Sequence, residues 1–144
     1  MKKITDFRKI WSHERHCFMC WLSDGKNLDA LGQAVGIAIL LEETELPVWG
    51  LYAIEENTGR RIVIENQLED TNHDHLGKII TYASGKDAQV VILVVKRARE
   101  DHKRAIEWLN SNTTGDIGFF LVEIELWQMD DFTLKPKFNV MVRP

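Results

Sequence analysis

Cysteine is scarce: two residues in 144, Cys17 and Cys20, cannot build a disulfide framework. Long apolar runs are missing too, and none reaches the roughly 18 residues that span a membrane. The opening Met1-Lys2-Lys3-Ile4-Thr5 is basic with no apolar stretch behind it, so a signal peptide is not expected. There is no surplus of positive charge, because 18 Lys and Arg face 22 Asp and Glu for a net of −4. Any nucleic-acid binding therefore needs a local basic face rather than bulk charge. Repeats, linkers and low-complexity tracts are absent as well. What is present is ordinary for a globular chain, with 44% apolar and 28% charged residues. The expectation is one cytoplasmic domain, long enough to bury a sizeable core.

Five tryptophans, Trp11, Trp21, Trp49, Trp108 and Trp127, are spread along the chain. That spacing suits core anchors better than one binding platform. In order, Ser12 is a candidate N-cap for a helix from His13 to Leu22, broken by Ser23-Asp24-Gly25-Lys26. Asn27 is placed to cap a second helix with Leu28, Leu31 and Val35 on one face, ending near Gly36. Ile37 to Leu41, Val48 to Glu55 and Arg60 to Asn66 read as strands. The turn signal Glu56-Asn57-Thr58-Gly59 makes the last two a hairpin within an antiparallel meander.

Thr71 or Asn72 caps a helix from about His73 to Ala83, which Ser84-Gly85 stops. Gln89 to Val95 is nearly all apolar, the mark of a central strand with helices over both faces. A helix from about Glu100 to Asn110 turns Ala105, Ile106 and Leu109 inward. Strands from Ile117 to Trp127 and from Phe138 to Val142 complete the sheet. The class is α/β, a mixed central sheet flanked by helices.

The strand Arg61-Ile-Val-Ile-Glu65-Asn-Gln67 carries the first candidate chemistry. Glu65 and Gln67 point to one side because strand side chains alternate. Paired with a second acid from a neighbouring strand, Glu65 suits a hard divalent cation such as Mg²⁺, which activates water and steadies charge on a phosphoryl group. Alone it reads first as an exposed structural residue. On the following helix, His75, Lys78 and Tyr82 fall along one line. His73-Asp74-His75 does not converge on one ion, being three consecutive residues on one turn.

His13, His16, Cys17 and Cys20 have zinc-like residue types, but four ligands from one straight helix cannot enclose an ion. The two cysteines read instead as small buried or half-buried residues. Lys96, Arg97, Arg99, Lys103 and Arg104 form the densest basic run, placed where open α/β sheets hold ligands. It reads as a solvated helix face balanced by Glu100, Asp101 and Glu107.

The string Ile64-Glu65-Asn66-Gln67-Leu68-Glu69, with Thr71-Asn72-His73-Asp74-His75-Leu76-Gly77 and Thr81-Tyr82-Ala83, resembles the hallmark of an uncharacterised prokaryotic family of the PD-(D/E)XK nuclease-like superfamily. The likeness extends from Trp11 and Glu14 through Trp108-Leu109-Asn110 to Phe138-Asn139-Val140.

The resemblance implies a restriction-endonuclease-like fold, a Mg²⁺-dependent nuclease acting on DNA, and a possible homodimer. In that pattern Glu65 falls on the catalytic acid position, as a metal ligand, and Gln67 on the lysine position. Lys78 and Tyr82 match a glutamine-x-x-x-tyrosine motif near the substrate, with lysine for glutamine. His73, His75, Lys78 and Tyr82 are then the residues expected to contact nucleic acid.

The superfamily's metal-binding aspartate falls at Gly50, whose hydrogen side chain ligates nothing. If the register shifts, Glu45 is a partial substitute. Restored cleavage on changing Gly50 to Asp would show that only this ligand is missing. The alternative is an inactive interaction or dimerisation module on a nuclease fold.

Overall fold

A computed structural model describes residues 1–11, 14–44, 50–70, 73–131 and 133–144; for residues 8, 14–17, 19, 43, 44, 67–70 and 75 it describes the backbone alone. Among these residues the chain runs β1 (Lys2–Ile4), a 3₁₀ turn (Phe7–Lys9), α1 (Glu14–Ser23), α2 (Gly25–Val35), β2 (Ile39–Thr44), β3 (Gly50–Glu55) and β4 (Arg61–Asp70). It continues α3 (His73–Lys86), β5 (Val90–Arg97), α4 (Glu100–Asn112), β6 (Gly118–Gln128) and β7 (Leu134–Val142).

The seven-stranded sheet is ordered β1-β6-β5-β4-β3-β2, with β7 also on β6. β2, β3 and β4 form an antiparallel meander, whereas β4, β5 and β6 are parallel. β1 and β7 both pair with Leu126–Gln128, and β5 and β7 both pair with Leu121–Glu123. A strand has only two edges, so β7 takes one edge of β6 while β5 and then β1 share the other. The sheet curls around β6. It is a mixed α/β architecture.

Two successive βα crossovers step in one direction along the sheet, which with right-handed connections puts α3 and α4 over the same face. The packing agrees. Ile79 and Ala83 of α3 and Ile106 of α4 bury against Val63, Val91 and Leu121. The opposite face takes Phe18 and Leu22 of α1 and Leu31 of α2 against Ile62, Ile92 and Val122. Val90 to Val95 are all buried, because alternate residues of β5 serve the two cores. An aromatic group anchors the first core: Trp11 lies with its ring centroid 5.1 Å from that of Phe18 and 5.4 Å from that of Trp21.

Several sequence expectations need correction. Asp24, not Asn27, caps α2, its side chain accepting from the Lys26 N–H at 3.0 Å. Asn27 instead donates its amide to the Trp21 carbonyl at 2.7 Å and ties α1 to α2. Helix α2 does end at Gly36, which takes the left-handed conformation (φ 76°). Helix α3 runs through Ser84-Gly85, since one glycine costs a helix only about 1 kcal/mol. Its stop is Asp87, at φ 52°, whose backbone carbonyl accepts from the Arg61 guanidinium at 2.8 Å.

β1 was not expected; three residues carry too short a pattern. Trp108 is 64% exposed and Cys20 is exposed, so neither is the buried residue expected. Ser12, His13, Glu45, Trp49, Thr71 and Asn72 lie outside the described residues. Among the described residues, no helix is long and apolar enough to cross a membrane.

Candidate functional site

Glu65 sits in the middle of β4 rather than at a strand end, and its backbone pairs with Gly50 on one side and Leu93 on the other. Alternation turns it, with Val63, towards α3 and α4, and turns Asn66 towards α1 and α2. Both are buried, Glu65 to 1% exposure and Asn66 to 3%. A carboxylate and an amide at this depth persist only with polar company, and both engage other groups.

Gly50 is not merely a position that lost its side chain. A Cβ built on it would come 2.3 Å from the Ile64 carbonyl oxygen and 3.2 Å from Cε2 of Tyr82. The first contact is with backbone and cannot be relieved by a rotamer change. The second shows that the Tyr82 ring closes over the Gly50–Glu65 pair from α3. An aspartate cannot simply be restored there.

Mg²⁺ takes near-octahedral oxygen ligation and keeps several of its waters. A fully buried Glu65, facing a glycine that admits no side chain, does not fit that ion. Among the described residues, no group of three metal-competent side chains includes Glu65. The Gln67 backbone pairs with Val95; its side chain, those of His75 and Glu69, and all of Glu45 lie outside the described residues.

Helix α3 presents His73, Asp74, Gly77, Lys78, Thr81 and Tyr82 along a shallow cleft. Lys78 makes an i,i+4 ion pair with Asp74 at 3.5 Å, so Lys78 brings little net positive charge to the cleft. The basic run is similarly balanced. Arg99 meets Asp101 at 2.8 Å and Lys103 meets Glu100 at 2.9 Å, while Lys96, Arg97 and Arg104 are exposed.

His73 finds a partner that sequence reading missed. Its Nδ1 lies 2.7 Å from Nε2 of His102, in the first turn of α4. The rings meet edge to face, with centroids 4.8 Å apart. Adjacent parallel strands β4 and β5 each feed a helix at the same end of the sheet, and that topology brings the two first turns together. Asp101 completes the group, Oδ1 lying 3.9 Å from Nδ1 of His102.

Desolvation holds His102 below the ordinary imidazole range, against the opposing pull of Asp101. For Asp101, burial pushes upward, but the Arg99 guanidinium and then His102 outweigh it and hold the carboxyl low. The available signal in the sequence was a histidine in the first turn after each of two consecutive apolar strands.

No family model, no curated protein and no solved structure matches the chain. The geometry therefore stands as the ground for a functional reading.

Proposed function

We propose that this chain is a DNA-binding module on a restriction-endonuclease-like fold whose Mg²⁺ centre has closed, so that it binds without cutting. The observation that carries the loss of chemistry is the Gly50–Glu65 pair under Tyr82. The Ile64 carbonyl stands where a Gly50 Cβ would be, 2.3 Å from it. The α-β-meander followed by parallel crossovers is in keeping with such a fold, and the resemblance at Glu65-Asn66-Gln67 supports DNA as partner. Contacts to phosphate come from the rim of the parallel strands, through Lys96 and Arg97 at the end of β5 and Lys78 on α3.

Fluorescence anisotropy with a labelled duplex, with and without Mg²⁺, tests the reading. The expected result is an affinity that falls log-linearly with salt, no cleavage product, and no calorimetric Mg²⁺ uptake. Cleavage that disappears in Glu65→Gln would overturn the closed-centre part. Absence of any anisotropy change at low salt would overturn the DNA part.

A second reading, a protein-interaction or homodimer module, is favoured by apolar groups left exposed on α3 and α4, Ile80 at 40% and Trp108 at 64%. It predicts a concentration-dependent sedimentation coefficient that Trp108→Glu abolishes.

A further inference from the structure

We infer that His73, His102 and Asp101 form a site for a divalent transition-metal ion of the zinc class, separate from the Glu65 centre and independent of any role in DNA binding. The ligands are His73 Nδ1, His102 Nε2 and one carboxylate oxygen of Asp101, with a fourth position left to water. One donor atom from each residue lies within 4.8 Å of the other two. This donor set, two imidazoles and a carboxylate, is that of an open zinc site rather than a Mg²⁺ site.

The distances support one ion among them. The two nitrogens are 2.7 Å apart and share a single proton. Tetrahedral ligation at Zn–N of about 2.0–2.1 Å places two nitrogens roughly 3.3 Å apart. Opening the pair by about half an ångström therefore lets an ion take the proton's place. His73 is exposed and starts a helix, so its ring has room to make that movement.

His102 is 2% exposed, and its Nδ1 makes no hydrogen bond among the described residues. Ligation through Nε2 fixes the proton on that other nitrogen and so settles the tautomer of the ring.

Asp101 has other engagements: Oδ1 accepts from the His102 backbone N–H at 2.9 Å and Oδ2 from Arg99 at 2.8 Å. A carboxylate has about four lone-pair sites, so both bonds leave capacity for an ion. Bound there, the ion joins the first turns of α3 and α4 across the ends of β4 and β5.

The test is calorimetric titration of Zn²⁺ into the metal-stripped full chain carrying Cys17→Ser and Cys20→Ser, which removes competing thiols. The expected result is one equivalent bound, a rise of several degrees in Tm that a chelator reverses, and visible d–d absorption with Co²⁺. His73→Gln changes an exposed side chain and leaves the circular dichroism spectrum intact. It should weaken the metal at least about tenfold, as should Asp101→Asn, the size of effect typical for groups that ligate or orient. His102→Asn would do the same but risks the fold, so His73→Gln decides. No uptake by the parent chain overturns the inference. So does uptake that His73→Gln leaves unchanged, which would place the metal elsewhere, for example on His13 and His16 of the N-terminal segment.

Discussion

Two polar centres lie on the α3–α4 side of the sheet, and the chain has finished them in opposite ways. At Glu65 a buried carboxylate faces a glycine, and the space a ligand would need is taken by the Ile64 carbonyl and the Tyr82 ring. At His102 a buried imidazole meets an exposed one and an acid. A strand centre is rigid but has no slack once neighbouring backbone closes in. The other group is assembled from the first turns of two helices. The residues on neighbouring elements decide how much room each polar group keeps.

The sharpest way to break the contrast is to force a side chain into the closed centre. Gly50→Asp adds a Cβ against backbone and buries a second carboxylate beside Glu65. Overpacking alone costs about 1–3 kcal/mol, and an uncompensated buried charge adds more. The expected total is at least about 3 kcal/mol in urea unfolding, with no gain of Mg²⁺ affinity. A stable Gly50→Asp variant that takes up Mg²⁺ would show that the centre is only missing a ligand.

Gly50→Ala separates the two obstacles. It is expected to cost about 1–3 kcal/mol. Adding Tyr82→Ala should relieve the 3.2 Å contact but not the 2.3 Å one with the Ile64 oxygen. Full recovery in the double variant would mean that the ring, not the backbone, closes the centre.

The open centre is probed through pH. His102 is held below its ordinary value of 6.5 by burial, so the unfolded chain binds that proton more readily than the folded one. The stability its neutral form supports is complete above about pH 6.5 and declines as pH falls below it. The stability from Glu55, held low by hydrogen bonds from Arg60 and Thr58, and from Glu125, held low by Asn139, is complete above their ordinary 4.5 and is lost only below it. Denaturant midpoints of the metal-free protein and of His102→Asn between pH 7.5 and 5 therefore separate His102 from the other four histidines. A flat profile there would show that His102 is not held neutral by the fold. In His102→Asn the slope should be smaller.

Much of the architecture was written in local pattern. The run from Val90 to Val95 is apolar at every position because both faces of β5 are covered, and Glu56 to Gly59 turns a hairpin whose Glu55 N–H donates to the Arg60 carbonyl at 2.8 Å. Less legible was anything that depends on two distant segments. Asp87 ends α3 because Arg61, 26 residues earlier, holds its carbonyl, and no window around Ser84-Gly85 contains that fact. His102 looked like one more polar residue in a charged helix until β4 and β5 were laid parallel. At Gly50 the sequence displays a missing carboxylate, but only the register against Glu65 and the approach of Ile64 show that there is no room for one.

The smallest expected effect separates stability from binding at the cleft between the two centres. Lys78 and Asp74 form an ion pair at 3.5 Å, with Asp74 81% exposed in its side chain. Pairs of this kind contribute about 0.5 kcal/mol or less, so Lys78→Ala should leave the urea midpoint nearly unchanged. If α3 lies along a phosphate backbone, the same change removes one cation from the interface. Affinity then falls across all duplex sequences, and the slope of log affinity against log salt falls by about one. Asp74→Asn removes an opposing carboxylate from the same surface and should raise affinity. Equal binding by wild type, Lys78→Ala and Asp74→Asn would move the nucleic-acid surface away from α3 and leave the Lys96–Arg97 rim to carry it.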